Sequence, residues 1–230
     1  MKTIGLIGGM SWESTVNYYR EINQQVGLRL GGYHSAKIVM VSVDFAEIEQ
    51  MQRNGEWLKT AGILSNAAKS LEKAGADFVM ICTNTMHKVA EYVEECTELP
   101  LLHIADATAE QLKKDGITKV GLLGTAFTME QDFYKGRLQE KHGIEVVVPN
   151  GVQRKLVHDV IYQELVHGKV NRRSKNDFLV VISDLYELGA QAVILGCTEI
   201  AMLVQAEDTR VPLYDTTEIH AHAAVDTALD

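Results

Sequence analysis

Two stretches of this chain repeat each other at a constant spacing, and that repetition limits its fold more than any single motif does. Leu71-Glu-Lys-Ala-Gly-Ala-Asp-Phe-Val-Met-Ile runs into Cys82-Thr83-Asn84-Thr85, and Leu185-Tyr-Glu-Leu-Gly-Ala-Gln-Ala-Val-Ile-Leu runs into Gly196-Cys197-Thr198-Glu199. A shift of 114 positions carries Gly75 onto Gly189 and Thr83 onto Cys197. The openings match at a shift of 116, Ile4-Gly-Leu-Ile-Gly-Gly against Val120-Gly-Leu-Leu-Gly-Thr, and Leu99-Pro-Leu-Leu matches Val211-Pro-Leu-Tyr at 112. All βα units look somewhat alike, but three matches in one order at nearly one spacing indicate a duplication.

Short apolar runs alternate with amphipathic stretches along the whole chain. The runs predict buried strands at Thr3–Ile7, Lys37–Val43, Asp77–Ile81, Leu101–His103, Val120–Leu123, Glu145–Val148, Ala192–Leu195 and Leu213–Tyr214. Helical periodicity marks Glu13–Val26, Leu58–Lys73, Ala105–Lys114, Gln131–Lys141, Val152–Leu165 and Asn176–Leu188. This alternation predicts an α/β fold with parallel sheets covered on both faces. With the repeat, it predicts two similar Rossmann-like halves related by a pseudo-twofold, with a ligand site in the cleft between them. The expected division is residues 1–103 joined by a returning C-terminal helix at 214–230, and residues 104–213.

Composition narrows the partners. A net charge of -9 from 22 basic and 31 acidic residues argues against nucleic acid and anionic membrane surfaces, which need clustered positive charge. Three cysteines are too few and too odd for a disulfide framework, and read as free thiols of a cytoplasmic protein. No apolar run reaches the ~18 residues of a membrane span, and the N-terminus has no secretory pattern.

Ligands of open α/β sheets bind beyond the carboxyl ends of the strands. Four such ends carry small or polar residues: Gly8-Gly9-Met10-Ser11, Thr83-Asn84-Thr85, Gly124-Thr125 and Cys197-Thr198-Glu199. The first lacks the G-x-G-x-x-G spacing and reads first as a tight turn beneath a helix. Walker and G-x-S-x-G motifs are absent. Cys197 follows a buried strand and is expected to open a helix, whose N-terminus would lower the thiol pKa; a buried structural thiol is the alternative. Cys82, one residue off the repeat, is expected to pack as a hydrophobe. His220 and His222 form the only close histidine pair, without the carboxylate or cysteine support of a metal site, and no metal is expected. His87, one helical turn beyond Thr83, either lines the pocket or is solvated.

These strand ends resemble those of the cofactor-independent aspartate/glutamate racemases. The resemblance runs through Ile7-Gly-Gly-Met10, Gly75-Ala-Asp with Thr83-Asn-Thr-Met-His87, Leu123-Gly-Thr125 with Thr128-Met129, and Gly196-Cys-Thr-Glu199. It implies two cysteines facing the substrate α-carbon from opposite sides, one as thiolate base and one as thiol acid, without pyridoxal phosphate or metal. A thiol suits both roles when its pKa is tuned towards neutrality, and backbone N–H donors at helix starts stabilise the carbanion. The first cysteine is replaced here by Thr83. The resemblance therefore implies a catalytic pair of Cys197 and Thr83, with Cys197 serving the L-enantiomer, Thr83 or a water it holds supplying the opposite proton, and D-substrates handled poorly. Met10, Asn84, Thr85, Thr125 and Thr198 are the substrate-binding candidates at the strand ends. Gln52 and Lys169, with Arg53 close behind, are the candidates for the distal side-chain group; solvated loop positions are the alternative.

L-Aspartate and L-glutamate are the expected substrates, with a neutral polar amino acid such as homoserine as the alternative. A lone-cysteine lyase, hydrolase or decarboxylase, and a non-catalytic amino-acid sensor, remain open on the same scaffold. The resemblance also implies a homodimer.

Overall fold

The apolar runs become two parallel sheets. A computed structural model describes all 230 residues. Its first stretch runs β1 (Ile4–Gly8), α1 (Trp12–Leu30), β2 (Ile38–Ser42), α2 (Phe45–Arg53), α3 (Trp57–Lys73), β3 (Phe78–Ile81), a 3-10 helix (Thr85–Val89), α4 (Ala90–Glu94) and α5 (Ile104–Lys114). It continues β4 (Lys119–Gly124), α6 (Ala126–Glu130), α7 (Asp132–Gly136), a π-helical turn (Arg137–Lys141), β5 (Glu145–Val147), α8 (Gly151–Gln163) and a 3-10 turn (Leu165–His167). The chain closes with α9 (Arg172–Glu187), β6 (Ala192–Gly196), α10 (Ile200–Leu203), a 3-10 turn (Ala206–Asp208), β7 (Leu213–Asp215) and α11 (Thr216–Leu229). Two compact units result, Met1–Ile104 with His220–Asp230, and Ala105–Ile219. No helix is long and apolar enough to cross a membrane.

The first unit is built on the parallel order β2-β1-β3, with Ile4 opposite Phe78 and Ile7 opposite Ile81. Gly5 is required by packing: a Cβ there would lie 2.9 Å from the Phe78 carbonyl and 3.3 Å from Leu71 Cδ1. Side chains alternate across the sheet. Phe78, Met80 and Cys82 join Tyr18, Ile22 and Ala224 in one cluster, and Val79 and Ile81 join Leu64 and Leu71 in the other. The strand expected at Leu101–His103 reduces to a single bridge between Val79 and Leu101. The chain leaves the sheet there because α5 begins at Ile104, whose N–H is claimed by the His87 ring at 3.2 Å.

The second unit repeats this plan as β5-β4-β6-β7. Val120 pairs with Ala192 and Leu123 with Leu195, the same register as Ile4–Phe78 and Ile7–Ile81 once the repeat spacing is applied. Gly121 is pressed by Leu185 Cδ1 at 2.9 Å, as Gly5 is by Leu71. Val193 N–H donates to the Pro212 carbonyl at 2.9 Å, and Val79 N–H donates to that of Pro100 at 3.0 Å. The duplication thus extends to individual hydrogen bonds. The helix expected over Gln131–Lys141 is interrupted, with α7 giving way to the π-helical turn at Arg137.

Candidate active site

β6 ends on Gly196, where a Cβ would lie 2.7 Å from the Leu123 carbonyl oxygen. Glycine therefore lets the strand end close against β4 and fixes the direction of the next side chain. Cys197 is only 7 % exposed and clusters with Val193 and Leu195. Its thiol donates to Glu199 Oε2 at 3.0 Å, and the Thr198 hydroxyl donates to the same oxygen at 2.7 Å. Burial first, and the Glu199 carboxylate next, push the thiol well above its ordinary 9.0; Asp215 adds to the effect.

The helix start expected at Cys197 is corrected here. α10 begins only at Ile200 and is one turn long, because Cys197-Thr198-Glu199 forms a turn closed by Ile200 N–H on the Cys197 carbonyl at 3.0 Å. No helix dipole lowers this thiol, and its pKa moves up instead of down. What the turn supplies is a partner: an acceptor for the thiol proton 3.0 Å away on the Glu199 carboxylate. Moving that proton from sulfur to Glu199 leaves the net charge unchanged, so burial opposes it far less than ionisation into solvent.

The first unit presents the equivalent turn without thiol or carboxylate. Thr83 is half-buried, Asn84 and Thr85 are buried, and the Thr83 N–H donates to Ile81 at 2.9 Å. Cys82 points to the opposite face, fully buried, with its thiol pushed up by burial alone. His87 is 3 % exposed, which excludes the solvated alternative.

The other predicted residues fall into three groups. Gly8-Gly9 is the tight turn beneath α1: Gly9 has φ +91° and a Cβ there would strike the Val43 carbonyl. Its N–H donates to Thr15 Oγ1 at 2.9 Å, and the Met10 side chain is buried in the core. Thr125 caps α6, accepting from Thr128 N–H at 3.3 Å. Of the distal candidates, Gln52 is 4 % exposed with Nε2 3.0 Å from Met86 Sδ, whereas Arg53 is solvated and paired with Glu49 at 2.7 Å. The same α2–α3 segment meets the 3-10 helix again where Lys88 Nζ lies 3.8 Å above the Trp57 ring. Lys169 is exposed and lines a cavity of about 580 Å³ with Glu164, Asn171 and Arg172.

A family model described as Asp/Glu/Hydantoin racemase matches residues 7–224. The chain belongs to the Asp/Glu/Hydantoin racemase family. A protein of Yersinia pestis assigned as an Asp/Glu racemase is 58% identical, with a TM-score of 0.94 and both chains covered at 100%. An aspartate racemase homologue from Pyrococcus horikoshii is 35% identical, with a TM-score of 0.86 and both chains again covered at 100%. The broad specificity amino-acid racemase RacX of Bacillus subtilis is 25% identical over 174 residues, 73% of this chain and 71% of RacX. The enzyme class is thus amino-acid racemase, an isomerase. Within this racemase the residue that sequence reasoning left without a role is Glu199. The available signal was the repeat itself, which places Thr85 opposite Glu199 and so marks an acid present in one half alone.

Proposed function

We propose that the protein is a cofactor-free racemase of L-aspartate and L-glutamate in which Cys197 and Thr83 serve one substrate. Glu199 accepts the Cys197 thiol proton, and the thiolate so formed removes the α-proton of the L-amino acid. The electron pair left on the α-carbon delocalises into the substrate carboxylate, stabilised by polar and N–H donors from the strand-end candidates Met10, Asn84, Thr85, Thr125 and Thr198. A proton then arrives from the Thr83 side, from its hydroxyl or a water it holds, and solvent replaces it, while Glu199 releases the proton it accepted to solvent and the Cys197–Glu199 pair returns to its starting state. A threonine hydroxyl is far too weak an acid to match a thiol, so this step is the slow one.

The observation that carries the reading is the 3.0 Å contact between Cys197 Sγ and Glu199 Oε2 in a buried turn. General acid–base help of this kind contributes about 10²–10⁴-fold. Acidic substrates are favoured by the family. L-Aspartate, L-glutamate and L-homoserine are incubated separately in D₂O with the wild type and with Cys197→Ser, and proton NMR follows the α-hydrogen. Loss of the acidic substrates' α-signals with appearance of D-product, slowed at least about 10²-fold in the serine variant, is the expected result. Faster loss with homoserine would reassign the substrate, and silence on all three would reject the racemase reading.

A further inference from the structure

The Thr83 carbonyl is held differently from its counterpart. In the second unit the Cys197 carbonyl is bonded by the Ile200 N–H, a main-chain group. In the first, His87 Nδ1 lies 2.8 Å from the Thr83 carbonyl oxygen. The ring's other nitrogen, Nε2, accepts the Ile104 N–H at 3.2 Å, at the start of α5. A carbonyl only accepts and an amide only donates, so these partners fix one state of the ring: neutral, with the proton on Nδ1. His103 packs against it with ring centroids 4.4 Å apart, and His220 lies 6.1 Å away. The repeat puts Ala201 at the matching position of the second unit, so the clamp exists in one half alone.

From this geometry we infer that His87 is the positioning residue for Thr83, clamping the turn that delivers the second proton to the first turn of α5. The inference rests on the racemase reading above. The imidazole touches neither substrate nor reacting atoms; it sets the backbone from which the Thr83 side chain projects. Its loss therefore acts on inversion and spares proton removal by Cys197.

The test follows L-aspartate in D₂O and measures two rates: deuterium entry into the remaining L-pool and appearance of the D-enantiomer. His87→Asn keeps an N–H near the position of Nδ1, whereas His87→Gln carries its amide to the position of Nε2. The expected result is a ratio of inversion to exchange within about twofold of wild type in H87N, and at least tenfold lower in H87Q, with exchange little changed in both. Exchange and inversion falling in parallel, or equal ratios in the two variants, would overturn the assignment while leaving the racemase intact. A wild-type protein showing neither rate would remove both readings. Independently of activity, ¹⁵N spectra of the wild-type histidines should show His87 with a protonated Nδ1 and a bare Nε2; the opposite tautomer contradicts the clamp.

Discussion

The turn after β3 and the turn after β6 share a register, a neighbouring strand and a preceding helix–glycine–strand sequence, yet they carry different chemistry. Cys197-Thr198-Glu199 holds a carboxylate and a thiol, both buried and joined by a hydrogen bond. Thr83-Asn84-Thr85 holds two hydroxyls and an amide, braced by a neutral histidine. A duplicated scaffold thus keeps what strands need, namely apolar alternation and close-packing glycines, while leaving the residue just beyond each strand free to diverge. On the proposed mechanism, the divergence separates a half that generates a base from a half that only relays a proton.

The largest expected effect comes from removing that difference at Glu199. Glu199→Gln abolishes the proton acceptor and should slow α-proton exchange by about 10²-fold or more. The same change removes the negative charge that, after burial, holds the thiol up. Alkylation of Cys197 by iodoacetamide should therefore begin at lower pH in the variant than in the wild type. Slower exchange together with easier alkylation distinguishes a lost base from a damaged fold.

The two units should also separate on acidification. His220 is buried between the Tyr18 hydroxyl and the Leu102 carbonyl at 3.0 and 2.8 Å, and burial pushes it down to about 4. A lowered histidine stabilises the folded state above the unfolded value of 6.5, and that stability is lost as pH falls from 6.5 towards 4, about 3 kcal/mol in all. In the second unit, burial raises Asp106, but hydrogen bonds from Arg137, Lys141 and His142 outweigh it and hold the carboxyl far below 3.8. That stability disappears only below 3.8. Both tryptophans, Trp12 and Trp57, lie in the first unit. Burial also lowers His158 in the second unit, by less than it lowers His220, so tryptophan emission should shift between pH 6 and 4 before the amide protons of β4 and β6 lose protection from exchange.

Thr83→Cys tests the comparison from the other side, with a smaller effect. Matching the two turns should raise inversion by about tenfold, within the range of one improved proton donor. It should also let deuterium enter a D-substrate pool, measured by NMR from D-aspartate. An unchanged D-pool would mean that the first turn does not face the reacting carbon.

Much of this was legible in the chain. The repeat predicted two similar α/β halves with equivalent strand ends, because these depend on local patterning that survives duplication. The expected helix at Cys197 was not legible: Thr198-Glu-Ile-Ala-Met-Leu-Val has helical composition, but the hydrogen bonds of the turn and the short run to Val204 limit α10 to four residues. The role proposed for Glu199 rests on a rotamer, and that proposed for His87 on a partner 17 positions away, Ile104. Leu101–His103 read as a strand because Leu101 and Leu102 are apolar; its pairing ends where that same contact opens α5.

The most direct test of the central claim compares exchange with inversion from both enantiomers. A racemase must have equal kcat/KM for inversion in the two directions, since the equilibrium constant is one, so asymmetry shows only in what happens before inversion. From L-aspartate in D₂O, the proton removed by Cys197 mixes with the one on Glu199, and deuterium should enter the L-pool faster than D-aspartate forms. From D-aspartate, removal on the Thr83 side is slow and the carbanion is captured by Cys197, so L-aspartate should form with almost no deuterium in the remaining D-pool. Equal ratios of pool exchange to inversion from the two enantiomers would contradict the account.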